Sequence, residues 1–335
     1  MNPLILTFAL LLGSAAVIYF ACEFFVNGVE WVGRKLSVGS TATGTILAAF
    51  GTALPESVVT FVAVAFGGSH AQKDIGVGAA LGGPLVLSTV AYAVVGVVLL
   101  ASRQPLKATP EVVRQFRRLS RDQGWFLGIF AVKIGLGLVA FALKPWLGIA
   151  FLAAYALYFW QEMRHDEGDV EEPELEPLRI APKRAEPSTA LALLQTGIAL
   201  VVIFAASRVF VSQLDVLGPA LGLKPQLLAL LLSPIATELP ETLNAVIWVR
   251  QGKHRLALAN ISGAMMIQAT VPTAFGLFWT PWLLDRSLLL AAAVTTIAVG
   301  AMFVAFRRGV ISRWLLAAMG LLYAIFAVLL VTLRL

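Results

Sequence analysis

Gly51-Thr52-Ala53-Leu54-Pro55-Glu56 returns later in the chain as Ala236-Thr237-Glu238-Leu239-Pro240-Glu241, and each copy is embedded in a long apolar run. A carboxylate in the middle of a membrane helix is unfavourable by about 2.5 to 3.5 kcal/mol on insertion scales. Two of them at equivalent places need a shared cause, and a cation held between them is the natural one. Proline has no N–H to donate and crowds the turn before it, so the helices should break just before Pro55 and Pro240. Each proline suits the first position of a new half-helix, and Glu56 and Glu241 follow one residue later. Carbonyls freed at the break, together with the carboxylate, make an oxygen-rich cage suited to Ca2+ or another small cation. The plainer alternative is a pair of proline kinks with protonated, hydrogen-bonded glutamic acids; a kink alone does not select the acid twice.

The chain around the two hexapeptides is that of a polytopic membrane protein. Of 335 residues, 59% are hydrophobic and 13% charged, and the mean hydropathy of +0.85 leaves too little polar surface for a soluble globule. Stretches of about 20 apolar residues give ten transmembrane helices, at 3–31, 41–67, 74–101, 124–142, 146–163, 188–213, 225–249, 255–280, 286–305 and 311–333. The first lacks the basic flank of a cleaved signal peptide. Loops after odd-numbered helices carry most of the Lys and Arg, among them Arg34, Lys35, Arg103, Lys107, Arg250 and Lys253. The positive-inside rule therefore puts those loops in the cytoplasm and both termini outside.

Other classes are argued against by what the sequence contains. One cysteine, Cys22, supports neither a disulfide framework nor a thiolate metal site. His70, His165 and His254 fall in or beside loops, and no H-E-x-x-H or Ser–His pair suggests an intramembrane hydrolase. The formal charge of +6 lies mostly in short loops, where it reports topology rather than a nucleic-acid partner. Residues 103–123 read as an amphipathic surface helix. Asp166 to Glu176 is acidic and is followed by Pro177, Pro182 and Pro187, the composition of a flexible linker. The organisation expected is thus a first five-helix repeat over 1–164, a cytoplasmic linker over 165–187 and a second repeat over 188–335.

The halves match at one constant offset. Phe25 meets Phe210, Val26 meets Val211, Gly33 meets Gly218, Leu36 meets Leu221, and the hexapeptides meet each other without a gap. Glu23 meets Arg208, a pair that could bridge the pseudo-twofold axis. Five spans per half is an odd number, so the second half enters the membrane with opposite polarity. The fold class expected is all-α, with ten transmembrane helices in two inverted five-helix repeats and a site near the midplane.

At these residues the chain resembles the cation/Ca2+ antiporter superfamily, which includes the sodium/calcium exchangers, as a divergent member. The resemblance rests on the paired hexapeptides, similar to a G-T-S-x-P-E motif in the second and seventh helices, and on the helices after them. It implies that Glu56 and Glu241 are paired Ca2+ ligands, that Thr52 and Thr237 add backbone oxygen, and that the first and sixth helices slide to alternate access. Departures are specific. Ala53 and Glu238 stand at the motif serine, and Gly78-Ala79-Ala80-Leu81-Gly82-Gly83-Pro84-Leu85-Val86-Leu87 lacks every polar ligand of the third-helix motif. The eighth helix keeps Asn260 and, at the last ligand place, Gln268.

The metal-site set is therefore Glu56, Glu241, Thr52, Thr237, Glu238, Gln268 and Asn260. Three carboxylates sharing one desolvated pocket repel each other, and a proton relieves that as well as a metal does. The function expected is antiport of a divalent cation, Ca2+ first, against H+ or Na+. A non-transporting cation sensor or scaffold is the alternative. Neither an enzyme activity nor a cofactor is expected; the partners are inorganic cations and membrane lipid, and the short loops suggest a prokaryotic inner membrane. Of the remaining polar residues, Thr60 shares the face of Glu56, Lys133 reads as a stem snorkelling to the surface, and Gly78, Gly82 and Gly83 read as sites of close helix approach.

Overall fold

A computed structural model of the chain describes residues 3–35, 48–103, 110–164 and 175–333. The helices are α1 (Pro3–Lys35), α2 (Ala48–Phe66), α3 (His70–Ala101), α4 (Pro110–Gly137), α5 (Leu147–Arg164), α6 (Thr189–Ala220), α7a (Pro225–Thr237), α7b (Leu239–Arg250), α8 (His254–Trp279), α9 (Arg286–Arg308) and α10 (Arg313–Thr332). They fall on the ten stretches expected from the sequence, and no strand occurs among the described residues. Six helices, α1, α3, α6, α8, α9 and α10, are long and apolar enough to cross a membrane. Large apolar side chains such as Val201 and Leu321 are 68% and 64% exposed, as a lipid-facing surface requires.

Local chemistry sets the helix ends. Ser69 accepts a hydrogen bond from the Gln72 N–H (3.1 Å) at the start of α3, Asp285 from Leu288 (3.0 Å) at α9, and Ser312 from Leu315 (3.0 Å) at α10. Gly309 ends α9 at φ 65°, a conformation glycine adopts without strain. Inside α3, Pro84 is followed by a π-helical turn over Leu87–Ala91. The amphipathic segment expected at 103–123 is not a separate element: from Pro110 it runs without interruption into the next span as α4.

Packing follows the repeat. The helix α1 lies along α6, and α4 along α9. The pairing of α2 with α8 has its counterpart in α7a with α3, and that of the end of α3 with α10 in α8 with α5. Exchanging each helix for the one five places along thus carries the main contacts onto one another. Glycines allow the closest of them: a Cβ on Gly78 would come within 2.8 Å of the Gln226 carbonyl carbon, and one on Gly82 within 2.8 Å of the Pro234 ring. Backbone thereby packs on backbone between α3 and α7a.

Two sequence expectations are corrected here. Residues 165–174 lie outside the described residues, but from Leu175 the expected flexible linker is docked on α1. The Trp31 indole donates to the Glu176 carbonyl (2.9 Å), the Arg179 N–H donates to the Asn27 side chain (3.1 Å), and Leu178 is fully buried. Buried backbone polar groups find partners there, so the prolines rigidify rather than loosen. Glu23 pairs with Arg179 of this segment (3.2 Å) rather than with Arg208, whose guanidinium lies over the Phe66 ring.

Candidate cation site

The two hexapeptides behave differently. The seventh rod breaks as expected, with Glu238 (φ −96°, ψ −3°) closing α7a and opening α7b. Pro234 and Pro240 flank the break and remove two ladder bonds from one short stretch. By contrast α2 runs unbroken through Pro55, against the sequence expectation. Only one ladder bond is lost there, the one Pro55 cannot donate, against two in the seventh rod.

Glu56, Thr237, Glu238, Glu241 and Gln268 are all essentially inaccessible. Thr237 joins two helices: its hydroxyl bonds the Glu56 carboxylate and also lies 3.2 Å from Glu238 Oε1 and 3.1 Å from the Ser233 carbonyl. The Gln268 amide, reaching over from α8, donates to Glu238 Oε1 (2.7 Å). Gly83 makes room for that amide, since a Cβ there would sit 2.6 Å from Gln268 Oε1. Around this cluster Glu56 Oε1, Glu238 Oε2, Gln268 Oε1 and Thr60 Oγ1 are buried with no hydrogen-bond partner among the described residues. Buried oxygens are almost always partnered, and unpartnered carboxylate oxygens on two acids that meet at Thr237 suit a hard cation.

The remaining expected ligands lie apart. No group of three Asp, Glu, His or Cys residues is close enough to hold one metal among the described residues, so the three carboxylates do not share one pocket. Glu56 and Glu238 meet at Thr237, whereas Glu241 lies in the first turn of α7b. That first turn favours an acid through the helix dipole. Asn260 is buried, yet it precedes Gln268 by eight residues, about 12 Å along α8. It therefore occupies another depth. Thr52 lies in α2, but its side chain is outside the described residues. Thr237 presents its hydroxyl rather than backbone oxygen.

Lys133 is the residue the sequence reading misplaced. It is fully buried instead of snorkelling, and its ammonium donates to the Ala80 carbonyl of α3 (2.8 Å) and the Gln268 carbonyl of α8 (3.3 Å). The rings of Phe130 and Trp282 cover it at 5.6 and 5.7 Å, and it lies within electrostatic reach of Glu56. The signal was present. Phe126, Phe130, Lys133 and Gly137 share one helical face, and all four are buried. A cavity of about 960 Å³ lined by Arg117, Trp125 and Phe151 opens elsewhere, against α4, α5 and α9, and holds none of these carboxylates.

Comparison with known proteins agrees with this architecture. The family model described as sodium/calcium exchanger protein matches residues 6–161 and 191–332. The inner membrane protein YrbG of Escherichia coli K12 is 23% identical over 286 residues, covering 84% of this chain and 82% of YrbG. The crystal structure of the H+/Ca2+ exchanger CAX superposes with a TM-score of 0.68 at 14% identity, over 98% of this chain and 88% of that one. The sodium-calcium exchanger NCX_Mj does so at 0.62 and 18% identity, over 97% and 99%. The chain is an integral membrane protein and belongs to the sodium/calcium exchanger family of cation antiporters.

Proposed function

We propose that the chain is a secondary antiporter that carries a divalent cation, Ca2+ first among candidates, on Glu56 and Glu238, and returns protons on the same carboxylates. One observation carries this reading: the single hydroxyl hydrogen of Thr237 faces both acids and the Ser233 carbonyl. One donor cannot satisfy three acceptors. Glu56 Oε1 and Glu238 Oε2 are also left without a partner among the described residues, and a proton on a carboxyl group or a cation between the two completes the arrangement. A site that holds protons or a divalent cation, but not neither, is the chemical requirement for exchange.

Sodium is the second counter-ion of the family reading. It is the less favoured one because the third-helix stretch Gly78–Leu87 offers no side-chain oxygen, and the ammonium of Lys133 already sits on carbonyls of α3 and α8. The exchanged contact pattern of the two halves supports two inverted five-helix repeats, 1–164 and 188–335, joined by 165–187. In that arrangement both termini lie outside a prokaryotic inner membrane. Movement of α1 and α6, which pair along their length, would alternate access to the midplane.

The test is Ca2+ flux in proteoliposomes under an imposed pH gradient or an imposed Na+ gradient. Flux driven by the pH gradient is expected, with that dependence weakened in Glu238→Gln. Flux under neither gradient would leave a cation sensor or scaffold as the better reading.

A further inference from the structure

The two carbonyls that hold Lys133 have a common origin in the sequence. In an α-helix each N–H donates to the carbonyl four residues earlier, and proline has no N–H. Pro84 therefore leaves the Ala80 carbonyl without its ladder donor, and Pro272 does the same for Gln268; both prolines lie inside their helices. Lys133 donates to these same two carbonyls. Two helices thus each carry one proline at the spacing that turns a carbonyl toward a single point between them, and the ammonium of a third helix fills that point.

We infer that this is a two-carbonyl cation site, occupied by the chain's own Lys133, which excludes a free monovalent cation and so sets the ion specificity of the exchange centre. The inference rests on the proposed antiport reading for its consequence but not for its geometry. A small cation bound there would need what Lys133 now has: two carbonyl oxygens, the faces of Phe130 and Trp282, and the field of Glu56. The backbone of Lys133 is itself fixed, since the Trp282 indole donates to its carbonyl (3.1 Å). The amine is tethered to the chain and is not an ion in exchange with water. Gln268 links it to the carboxylates, holding Lys133 with its carbonyl and Glu238 with its amide.

Lys133→Met keeps the length of the stem and removes the charge, leaving both carbonyls open. In detergent-purified protein its melting temperature is expected to rise by about 2 to 4 °C in NaCl relative to choline chloride at equal ionic strength, as ligand binding to the folded state requires. Wild type is expected to show no difference between the two salts. The triple variant Lys133→Met/Pro84→Ala/Pro272→Ala restores both ladder donors and is expected to lose the sodium response. Should Lys133→Met fail to fold in choline chloride, its recovery in NaCl is the expected result. Equal behaviour of Lys133→Met in the two salts, folded or not, would overturn the inference. This readout is independent of transport: absence of Ca2+ flux in wild type sinks the proposed function alone, and absence of a sodium response in Lys133→Met sinks this inference alone.

Discussion

Thr237 is the residue at which the site is most exposed to test. Replacing it with valine keeps the shape and removes the hydroxyl shared by Glu56 and Glu238. Hydrogen bonds to charged groups contribute about 1.5 to 3 kcal/mol, so Thr237→Val should weaken Ca2+ affinity by roughly 10- to 100-fold, measured by the Ca2+ concentration that half-saturates uptake. Unchanged affinity would remove the hydroxyl from the account. Glu238→Gln should flatten the pH dependence of uptake, because the second carboxylate that exchanges a proton is gone; an unaltered pH profile would return the counter-ion to sodium. At this scale the sequence was only partly legible. Repetition of the hexapeptide drew attention to Glu56 and Glu241, which are matched in sequence. Register along the chain does not say which acids meet in space, and the break at Glu238 turns that acid toward Glu56 while Glu241 enters the next helix.

Among the elements, α3 and α9 offer the clearest checks. A side chain at Gly82 would collide with α7a next to Pro234, and overpacking of this kind is unfavourable by about 1 to 3 kcal/mol. Gly82→Val should therefore lower the melting temperature, with no loss expected only if α3 and α7a do not touch. Asp285, ahead of α9, lies outside the span. Burial alone would push its carboxyl group up, but hydrogen bonds from the Ser287 hydroxyl, the Leu288 N–H and Lys224 outweigh it and hold the group below the usual aspartate range. A depressed folded value means that the stabilisation is present above the unfolded value of about 3.9 and is lost as pH falls through the folded one. Asp285→Ala should be about 1 kcal/mol less stable near neutrality, and the difference should vanish in strong acid. The exposed ion pair with Lys224 adds little to this. Helix positions were legible from apolar run length, and the break in the seventh rod from its prolines. The continuity of α2 was not, because a lone proline and two close prolines announce the same break in sequence and differ only in how many ladder bonds they remove.

For the whole molecule, an unbroken offset carries phenylalanines, glycines and the hexapeptides together in the sequence, and the main helix contacts exchange under the same operation. Less legible was what fills the space between the halves. The docking of the segment from Leu175 on α1 depends on long-range contacts that no local pattern announces, and so do the partners that Lys133 and Gln268 find. The central claim is that Glu56 and Glu238 together hold the transported cation. It is tested most directly by locating Sr2+, a heavier relative of Ca2+, from its anomalous scattering in crystals of the protein. The account predicts a peak bonded to both carboxylates beside Thr237; a peak on Glu241 with Glu56 and Glu238 left without metal would contradict it.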